Sequence, residues 1–493
     1  MPAVSTPNYL ADQARRRLKP TLNTIPGMGV LDARLRNRTW DQFVVAEPPA
    51  GSGLKPVMGD HGLPVLGHMI ETFRGGPDYV LHMYRTHGPV YYSEMPGLKA
   101  VSALGPDATQ EVLSNRNKDF STAAWQTVIG PFFNRGLLLM DFEEHMFHRR
   151  IMQEAFTRNR LSGYIEHIDR VTTAVVGTDW PANDRRFLFM PAVKELTLDI
   201  ASVVFTGHDV GDDHELVTKI KRAYETTTRA GGAIIRTPLP PFKWWRGLQA
   251  RKLLEDYFLD RIAVARNSSG TDMLTVLCHT ADDDGNRFTD VDIINHMVFV
   301  MMAAHDTSTS TLTTMAYQLA ANPHWQDRCR ADGEQIGDGP LDLEALESME
   351  TLDLVINESL RMVTPLPFHV RTAVRDTSIL GHYIPAGTDI NIWPGMNHRL
   401  AELWDEPEVF DPGRFAAPRN EHKRHRYAFA PFGGGAHKCI GMLFGQLEIK
   451  TVMHRLLRKY RLELAHPGYK PRYDYAGMPV PIDGVPIVLR PLR

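Results

Sequence analysis

The sequence predicts a mainly α-helical protein with small β-sheets, and three observations lead to this fold class. From about residue 105 to 365, the 493-residue chain carries mostly the apolar spacing of helices. The longest helical segment, 289–322, is apolar nearly all round in its middle, which is typical of a helix that runs through a core. Short runs with strand character, such as 88–105 and 377–392, lie outside most of that helical stretch.

Composition excludes several classes of function. The chain is 43% hydrophobic and 23% charged, with a net charge of -3, so neither nucleic acid nor an anionic membrane is expected as its main partner. The three cysteines, Cys278, Cys329 and Cys439, are widely spaced and fit neither a zinc site nor a secreted disulfide framework. The N-terminus lacks the apolar core of a signal peptide, and no run of about 18 apolar residues occurs. We therefore expect a cytoplasmic protein without a transmembrane segment.

The chain divides into an N-terminal extension, residues 1–47, and a main domain, residues 48–493. A linker rich in proline and glycine, 47–56, separates them. The main domain opens with the sequences GPVYYSEM and KAVSALG, which predict a β-hairpin.

The long apolar segment has clear start and stop signals. Thr289 with Asp292 resembles a capping box, and Asn322 followed by Pro323 predicts the end. A helix between these signals would be about 50 Å long. Further along, TSILGHYIPAGTDINI predicts two short strands around 385–387.

The sequence FGGGAHKCIG, residues 432–441, places one cysteine in a glycine-rich loop ahead of an amphipathic helix. Its glycines predict tight turns and close backbone approach. A helix N-terminus at Cys439 would favour a thiolate. A phosphate loop is excluded because Lys438 precedes a cysteine rather than Ser or Thr. A catalytic nucleophile, a thiolate ligand of haem iron and an unreactive buried cysteine all remain open from the loop alone.

The loop is similar to the haem-binding signature of the cytochrome P-450 family, F-x-x-G-x-[RH]-x-C-x-G. The matching residues are Phe432, Gly435, His437, Cys439 and Gly441. The resemblance implies haem b as cofactor, with Cys439 as the proximal iron ligand. It also implies that His437 stands where most members have an arginine facing a haem propionate.

Two other segments resemble family motifs in the same order. NESLR contains Glu358 and Arg361, and FDPGRF contains Arg414. Taken alone, Glu358 and Arg361 would be an exposed helical ion pair, worth about 0.3–0.5 kcal/mol. The resemblance implies instead that the three form a buried structural network that braces the cysteine loop.

AAHDTST, residues 303–309, resembles the family's oxygen-side motif, with Ala304 where the usual residue is glycine. Asp306 and Thr307 lie here within the long apolar segment, where a buried carboxylate is costly without a partner. Breaking an iron-bound O–O bond requires protons, and an acid next to a hydroxyl can relay them. We therefore predict Asp306 and Thr307 as the catalytic pair.

The resemblance also implies a set of haem contacts. His145 and Arg149 are one helical turn apart in EEHMFHRRIMQEAF, and Arg371 follows Arg361 by ten residues. The residues expected to contact the cofactor are His145, Arg149, Ala303, Arg371, Phe432, Gly435, His437 and Gly441.

A substrate pocket is expected on the face of the central helix that carries Thr307. Positions one and two turns earlier share that face, and the family places residues after the Glu358 helix, residues 125–129 and the turn 477–481 nearby. The expected substrate contacts are Phe299, Val300, Met302, Ala303, Leu366, Pro367 and Phe368. This apolar lining predicts a large apolar substrate, such as a lipid, sterol or terpenoid.

The resemblance covers roughly residues 50–493 and implies the cytochrome P-450 fold, with the long helix over the haem. The implied activity is monooxygenation, in which one atom of O2 enters the substrate and the other leaves as water. The motifs are closest in style to the branch that includes the sterol demethylases.

No flavin domain or iron–sulfur spacing is found, so electrons are expected from a separate ferredoxin-type donor, which could dock at the basic run 420–426. Two alternatives are a haem-thiolate enzyme that rearranges peroxides and a non-catalytic haem sensor; the complete acid–alcohol pair argues against both.

Overall fold

The structure is a computed structural model that describes residues 25–178, 180, 187–207, 214–231, 233, 236–282 and 284–492. Helices dominate these residues. In chain order they are α1 (Met28–Arg36), α2 (Met69–Gly75), α3 (Pro77–His87), α4 (Pro106–Ser114), α5 (Ala123–Phe133), α6 (Phe142–Gln153), α7 (Arg158–Thr178), α8 (Phe189–Thr206), α9 (His214–Gly231), α10 (Lys243–Ala265), α11 (Met273–His279), α12 (Asp290–Ala321), α13 (Pro323–Ile336), α14 (Leu343–Glu347), α15 (Glu350–Met362), α16 (Pro394–Asn397) and α17 (Met442–Lys459).

The strands are short and form small sheets, as predicted. They are β1 (Phe43–Val44), β2 (Met58–Gly59), β3 (Val90–Met95), β4 (Leu98–Ala103), β5 (Phe120–Ser121), β6 (Phe187–Leu188), β7 (His369–Ala373), β8 (Thr377–Ile379), β9 (His382–Ile384), β10 (Asp389–Ile392), β11 (Tyr460–Leu464), β12 (Tyr473–Asp474), β13 (Val480–Pro481) and β14 (Pro486–Pro491). The largest sheet has the order β1-β2-β3-β4-β10-β7-β5. The predicted hairpin is its β3–β4 pair.

Strands β10 and β7 join distant parts of the chain within this sheet. β10 pairs in parallel with β4 and antiparallel with β7. This pairing fixes β7, which carries His369 and Arg371, beside the N-terminal hairpin.

The two strands predicted around 385–387 are present as β9 and β10, and the segment also forms a third strand, β8, that was not predicted. Leu380 and Gly381 have positive φ values of 47° and 75° and make a two-residue turn between β8 and β9. The turn at 385–388 then leads into β10, which leaves this hairpin for the largest sheet. A leucine in the left-handed region is uncommon, so sequence reasoning gave that turn no weight.

The central helix α12 follows its predicted signals. Thr289 and Asp292 form a reciprocal capping box, and Asn322 caps the other end before Pro323 opens α13. Buried hydroxyls in its second half donate to carbonyl oxygens one turn earlier, as in Thr309 to His305 (2.9 Å). None of the helices in the described part of the chain is both long and apolar enough to cross a membrane.

The N-terminal extension is described only from residue 25, so its basic segment, 10–18, lies outside the described residues. Strand β1 pairs antiparallel with β2, so the end of the predicted extension joins the largest sheet. Trp40 meets the ring of His68 edge-on at 6.0 Å. A domain boundary at residue 47 stays a prediction.

Candidate active site

The cysteine loop, residues 432–441, is shaped by its glycines. Gly435 has a φ of 64°, in the region that glycine adopts most readily. A Cβ at this position would come within 1.9 Å of the carbonyl oxygen of Leu113, so the loop packs directly against α4. The Cys439 N–H donates to the carbonyl oxygen of Phe432 (3.0 Å) and ties the loop together.

Cys439 is exposed and precedes α17, which begins at Met442 rather than at the cysteine. Desolvation by surrounding atoms raises the pKa of its thiol, and the opposing effects of the Gly441 N–H and of Arg149 are smaller. The Gly441 N–H thus favours the thiolate, as predicted, but desolvation outweighs it in the free thiol. A coordinated metal ion deprotonates a thiol outright, so the raised pKa of the free thiol is compatible with a ligand role.

Two arginines and two glutamates form a bracing network behind the loop. Arg361 donates to both carboxylate oxygens of Glu358 (2.7 and 2.9 Å). Arg414 donates to Glu358 (3.1 Å) and to Glu421 (2.8 Å). All four side chains are at most 1% exposed. The formal charges balance, and the bonds are short, which is the arrangement in which buried ion pairs are tolerated.

His398 connects the bracing network to the cysteine loop. Its carbonyl oxygen accepts from Arg361 (2.8 Å), and its ring Nε2 accepts from the Ala430 N–H (3.1 Å). Ring Nδ1 lies 2.9 Å from the Thr364 hydroxyl, so both ring nitrogens have partners. Ala430 is two residues before Phe432, and the network is thereby tied to the start of the loop.

A second charged group, the cation cluster, consists of His145 and Arg149 on α6, His369 and Arg371 on β7, and His437 in the loop. The rings of His145 and His437 are 4.0 Å apart. Arg149 interacts electrostatically with Cys439. The fold thus brings together four predicted cofactor contacts and adds His369, which follows the predicted pocket residue Phe368.

Positive charge dominates the cation cluster. Burial lowers the pKa of His145 to about 3, and His437 and Arg149 add to this effect. Burial and then Arg371 likewise lower the pKa of His369 to about 3. Burial lowers the pKa of Arg371 to about 10, against the attraction of Asp141.

Asp141 is the acidic residue that faces His437. Its Oδ1 lies 3.7 Å from His437 Nε2, and its oxygens accept from the N–H of Thr122 (2.9 Å each). Burial acts to raise the pKa of Asp141, but His437 and Thr122 lower it on balance. One carboxylate therefore faces several cationic or donor groups.

Several buried nitrogens in and next to the cation cluster have no protein partner among the described residues: the Trp125 N–H at Nε1, and His145 Nδ1 and His369 Nε2, each of which donates in one tautomer. Arg371 is 3% exposed and donates to the carbonyl oxygen of Val370 (2.8 Å). Buried donors in excess of acceptors suit a ligand that brings anionic oxygens. The residues present therefore fit haem, whose two propionates are carboxylates, with Cys439 as the sulfur ligand.

On the central helix, Asp306 and Thr307 have different partners. Lys194 on α8 donates to Asp306 Oδ1 (2.8 Å), and the Asp306 side chain is 11% exposed. Burial acts to raise the pKa of Asp306, but Lys194 and then His305 lower it on balance, so the carboxyl group is ionised at neutral pH. The Thr307 hydroxyl donates to the carbonyl oxygen of Ala303 (2.8 Å).

Residues 57–481 match the family model described as cytochrome P450. This chain belongs to the cytochrome P450 family. Cytochrome P450 136 of Mycobacterium tuberculosis is 64% identical over 491 residues, which cover 100% of both chains. Lanosterol 14-alpha demethylase of Rattus norvegicus is 27% identical over 447 residues, or 87% of this chain and 86% of the rat protein. Among solved structures, retinoic acid bound cyanobacterial CYP120A1 matches with a TM-score of 0.79 at 24% identity, over 88% of this chain and 98% of the other.

Membership confirms the predicted fold and reaction class. The P450 is a haem-thiolate monooxygenase that uses O2, a substrate and a redox partner. The roles of individual residues are argued below from their contacts.

The structure brings together part of the predicted P450 substrate pocket. Trp125 stacks on Phe368, with ring centroids 6.0 Å apart, and Phe368 also contacts Trp393 (5.2 Å). Phe299 packs so closely on Gly136 that a Cβ there would lie 2.4 Å from its ring. These contacts link α5 to the segment before β7, and the central helix to the loop that follows α5.

The other predicted pocket residues lie in different surroundings. Val300 is 7% exposed and belongs to the main core, with Leu366 packed against that core. Pro367 is fixed by its carbonyl oxygen, which accepts from the Gly395 N–H (3.1 Å). Met302 lines a small cavity beside Asp306 on the side of α9.

Sequence reasoning missed the partners of the P450 site residues. Lys194 pairs with Asp306 from α8, and nothing in its local sequence indicated this contact. Glu421 completes the bracing network from within the basic run 420–426. It is the only acid in that run, which is the one signal that could have singled it out.

Proposed function

We propose that this P450 inserts one oxygen atom of O2 into a C–H or C=C bond of a large apolar substrate such as a lipid, sterol or terpenoid. The apolar character of the expected lining carries this proposal. Its titratable neighbour, His369, belongs to the cation cluster, which leaves few polar anchors for a substrate. The similarity to lanosterol 14-alpha demethylase supports a substrate of sterol size and polarity.

The cofactor we propose is haem b, held without covalent attachment. Cys439 supplies the sulfur ligand, while the other cysteines, Cys278 and Cys329, are buried. The cation cluster would bind the propionates through His145, Arg149, Arg371 and His437, with His369 and Trp125 as further donors. Phe432, Gly435 and Gly441 shape the loop, and Ala303 lies one turn before Thr307 on the central helix.

When bound, haem supplies reductive activation of O2, and the chain must supply protons and exclude bulk water. Thr307 Oγ1 holds a proton in its hydrogen bond to the Ala303 carbonyl oxygen. Asp306 is ionised beside the Lys194 ammonium group, so it must take up a proton before it can give one. We assign Asp306 to proton uptake from the side of α8 and Thr307 to donation on the side of the cofactor.

The electron donor we propose is an acidic protein of the ferredoxin type that docks around the cysteine loop. Lys423, Arg424, Arg426 and Lys438 are exposed there. Arg424 is partly neutralised by its ion pair with Asp405 (2.8 Å), and the others add positive charge. Complementary charge accelerates the encounter of redox partners.

We propose a cytoplasmic location. The three cysteines are all free, and Cys278 and Cys329 are buried as unpaired thiols. Thiols persist in a reducing compartment, which supports this placement.

A binding screen tests the substrate proposal. Addition of apolar lipids, sterols and terpenoids should shift the haem absorption spectrum, and small charged compounds should not. For a compound that binds, Ala303→Phe should weaken affinity by filling the pocket, while Val264→Phe, at an exposed site on α10, should not. A preference for small, highly charged ligands would contradict the proposal.

A further inference from the structure

Two buried histidines meet where α6 packs on the N-terminal half of the central helix. His148 on α6 and His296 on α12 are 3% and 0% exposed, and His148 Nδ1 lies 2.8 Å from His296 Nε2. Phe288 covers both imidazoles, with its ring centroid 5.1 Å from that of His148 and 4.8 Å from that of His296. The His296 ring is thereby held in one orientation, because a flip of the ring would break its hydrogen bond to His148.

The second ring nitrogen of His296 is left without a protein partner. Nδ1 is buried and forms no hydrogen bond with any of the described residues. Burial lowers the pKa of His296 to about 3, and His148 adds to this effect, so the imidazole is neutral. Buried polar groups are almost always paired with protein or with ordered water. His296 Nδ1 therefore needs a partner that does not come from the described part of the chain.

His296 lies on the helix face that we expect to line the substrate pocket. It precedes Thr307 by 11 residues, which is about three turns, so the two side chains differ by only about 20° around the helix axis. Val300 and Ala303, two of the expected substrate contacts, lie between them on this face. His305 also has an unpartnered ring nitrogen, Nε2, but it is about 160° away from Thr307 around the axis.

The loop that follows α5 covers the central helix at this end of the face. Arg135 donates to Asp292 Oδ1 (3.1 Å), one turn before His296. Gly136 packs on the ring of Phe299, one turn after His296. His296 therefore lies at the enclosed end of the expected pocket, with Thr307 at the other end.

The chemistry of the missing partner follows from the two tautomers of the histidine pair. If the His148 Nδ1–H donates to His296 Nε2, the hydrogen of neutral His296 is on Nδ1, which is then a donor. If the His296 Nε2–H donates to His148, Nδ1 is an acceptor. A hydroxyl group donates and accepts, so it fits either tautomer, whereas a carbonyl group fits only the first. At about 1.5 Å per residue, this hydroxyl group would lie roughly 16 Å from Thr307 along the helix axis.

We propose that His296 Nδ1 binds a hydroxyl group of the substrate, and that the substrate is an apolar molecule with an alcohol at one end and the oxidised carbon near the other. This assignment rests on the proposed function, in which an apolar substrate lies along the Thr307 face. His148 and Phe288 are positioning residues, since they act only by orienting the His296 imidazole.

Matched pairs of compounds test the hydroxyl contact. Each pair consists of an alcohol and its parent hydrocarbon: cholestanol with cholestane, phytanol with phytane, and hexadecanol with hexadecane. Binding to the haem-loaded wild-type enzyme is measured from the shift of the haem absorption spectrum. At least one alcohol should bind roughly tenfold more tightly than its hydrocarbon, because the hydrocarbon leaves Nδ1 unpaired. Hydrocarbons that bind as tightly as their alcohols overturn the proposal.

Variants of the central helix assign the preference to one side chain. His296→Phe keeps a ring and removes both nitrogens, so the ratio of the two affinities should fall to about one, mainly through weaker binding of the alcohol. His296→Gln keeps a donor and an acceptor and should retain part of the preference. His305→Phe is the control, because it removes an unpartnered nitrogen from the opposite face and should leave the ratio unchanged. A preference that persists in His296→Phe would show that another group binds the hydroxyl.

A crystal structure of the haem-loaded wild-type enzyme with the tightest-binding alcohol needs no variant and stands even if the His296 variants fail to fold. We expect the hydroxyl oxygen about 2.7–3.2 Å from His296 Nδ1, with the opposite end of the molecule beside Thr307. A hydroxyl group bound elsewhere, with only water at Nδ1, overturns the proposal.

The two proposals fail in different ways in this experiment. If neither the alcohols nor the hydrocarbons shift the haem spectrum, the proposed apolar substrate is wrong, and the role of His296 falls with it. If the two members of every pair bind equally well, the apolar substrate stands and only the hydroxyl contact of His296 is overturned.

Discussion

The bracing network and the cation cluster both adjoin the cysteine loop, and both are buried and charged, yet only the first is complete within the protein. Glu358 and Glu421 balance Arg361 and Arg414 at distances between 2.7 and 3.1 Å. The cation cluster contains two arginines and three histidines, of which His145, Arg371 and His437 interact with Asp141, and two of its ring nitrogens have no partner among the described residues.

This difference distinguishes residues that stabilise the fold from residues that bind a ligand. A self-balanced network contributes to the stability of the chain whether or not haem is bound. A buried group with excess donors is costly in the protein alone and is compensated when an anionic ligand supplies acceptors. We therefore expect variants of the bracing network to reduce stability, and variants of the cation cluster to reduce haem affinity.

Cys439 belongs to neither group, so its replacement should change ligation alone and has the largest expected effect. Cys439→Ser keeps the size of the side chain and the loop but removes the sulfur. The reduced, carbon monoxide-bound protein should lose completely the strongly red-shifted absorption band that thiolate ligation produces. Cys278→Ser and Cys329→Ser serve as controls. Persistence of the band in Cys439→Ser would show that another residue ligates iron.

Glu358→Gln breaks the bracing network at its centre and should be the most destabilising of the charge variants. It removes the carboxylate that pairs with Arg361 and leaves Arg414 paired with Glu421. Removing one partner of a buried ion pair costs about 3–5 kcal/mol.

Denaturant unfolding of the protein with and without haem measures this loss, which should be similar in both forms. Glu347→Gln is the control, since Glu347 forms an exposed ion pair with Arg158 and should change little. A loss seen only in the haem-loaded form would contradict a purely structural role for Glu358.

The same contrast explains which parts of the site could be predicted from sequence. The capping box at Thr289 depends on residues close in sequence, so local spacing was sufficient. The roles of Cys439 and of the pair Glu358 and Arg361 came from the family resemblance, because local spacing alone left them open. The Lys194 partner of Asp306 depends on how α8 packs on α12, which local spacing does not encode.

Two further misses have the same physical origin. His369 joins the cation cluster because β7 pairs with β10, which in turn pairs with the N-terminal hairpin. Sequence reasoning also placed a helix N-terminus at Cys439, whereas α17 begins at Met442. Element boundaries and long-range pairing are both set by tertiary contacts.

Arg371→Gln tests the cation cluster. Loss of a charge-assisted hydrogen bond of about 1.5–3 kcal/mol should raise the haem dissociation constant roughly ten- to hundredfold. The stability of the haem-free protein should stay the same or rise, because a buried cation is removed from among other cations. Haem transfer to an acceptor protein measures the first effect, and denaturant unfolding the second.

Arg375→Gln is the matched control for Arg371→Gln. Arg375 follows on the same stretch of chain but is 59% exposed and pairs with Asp119. Its replacement should leave haem affinity unchanged. Destabilisation of the haem-free protein by Arg371→Gln, with unaltered haem affinity, would place Arg371 in the scaffold and remove the distinction between the two groups.

The smallest expected effect concerns how the free energy of unfolding depends on pH through His398, the histidine that connects the bracing network to the cysteine loop. Burial lowers the pKa of His398 to about 3, and Arg361 and Arg399 add to the effect. An unfolded histidine has a pKa near 6.5, so between about pH 6.5 and 3 the unfolded chain binds a proton that the folded chain does not. His398 therefore contributes stability that is fully present above about pH 6.5 and is lost as the pH falls, by about 1.4 kcal/mol per pH unit.

Replacing His398 should reduce the slope of the unfolding free energy against pH, by an amount that corresponds to at most one proton. The unfolding free energy of wild type and His398→Gln, measured between about pH 7 and 4.5, gives the two slopes, and His466→Gln at an exposed site is the control. The difference between wild type and His398→Gln should be the same with and without haem, because His398 has all its partners within the protein. The slope that remains in His398→Gln should become smaller on haem binding, since propionates beside His145 and His369 would favour their protonated forms. A slope contributed by His398 that changed with haem would show that the bracing network is also part of the binding site.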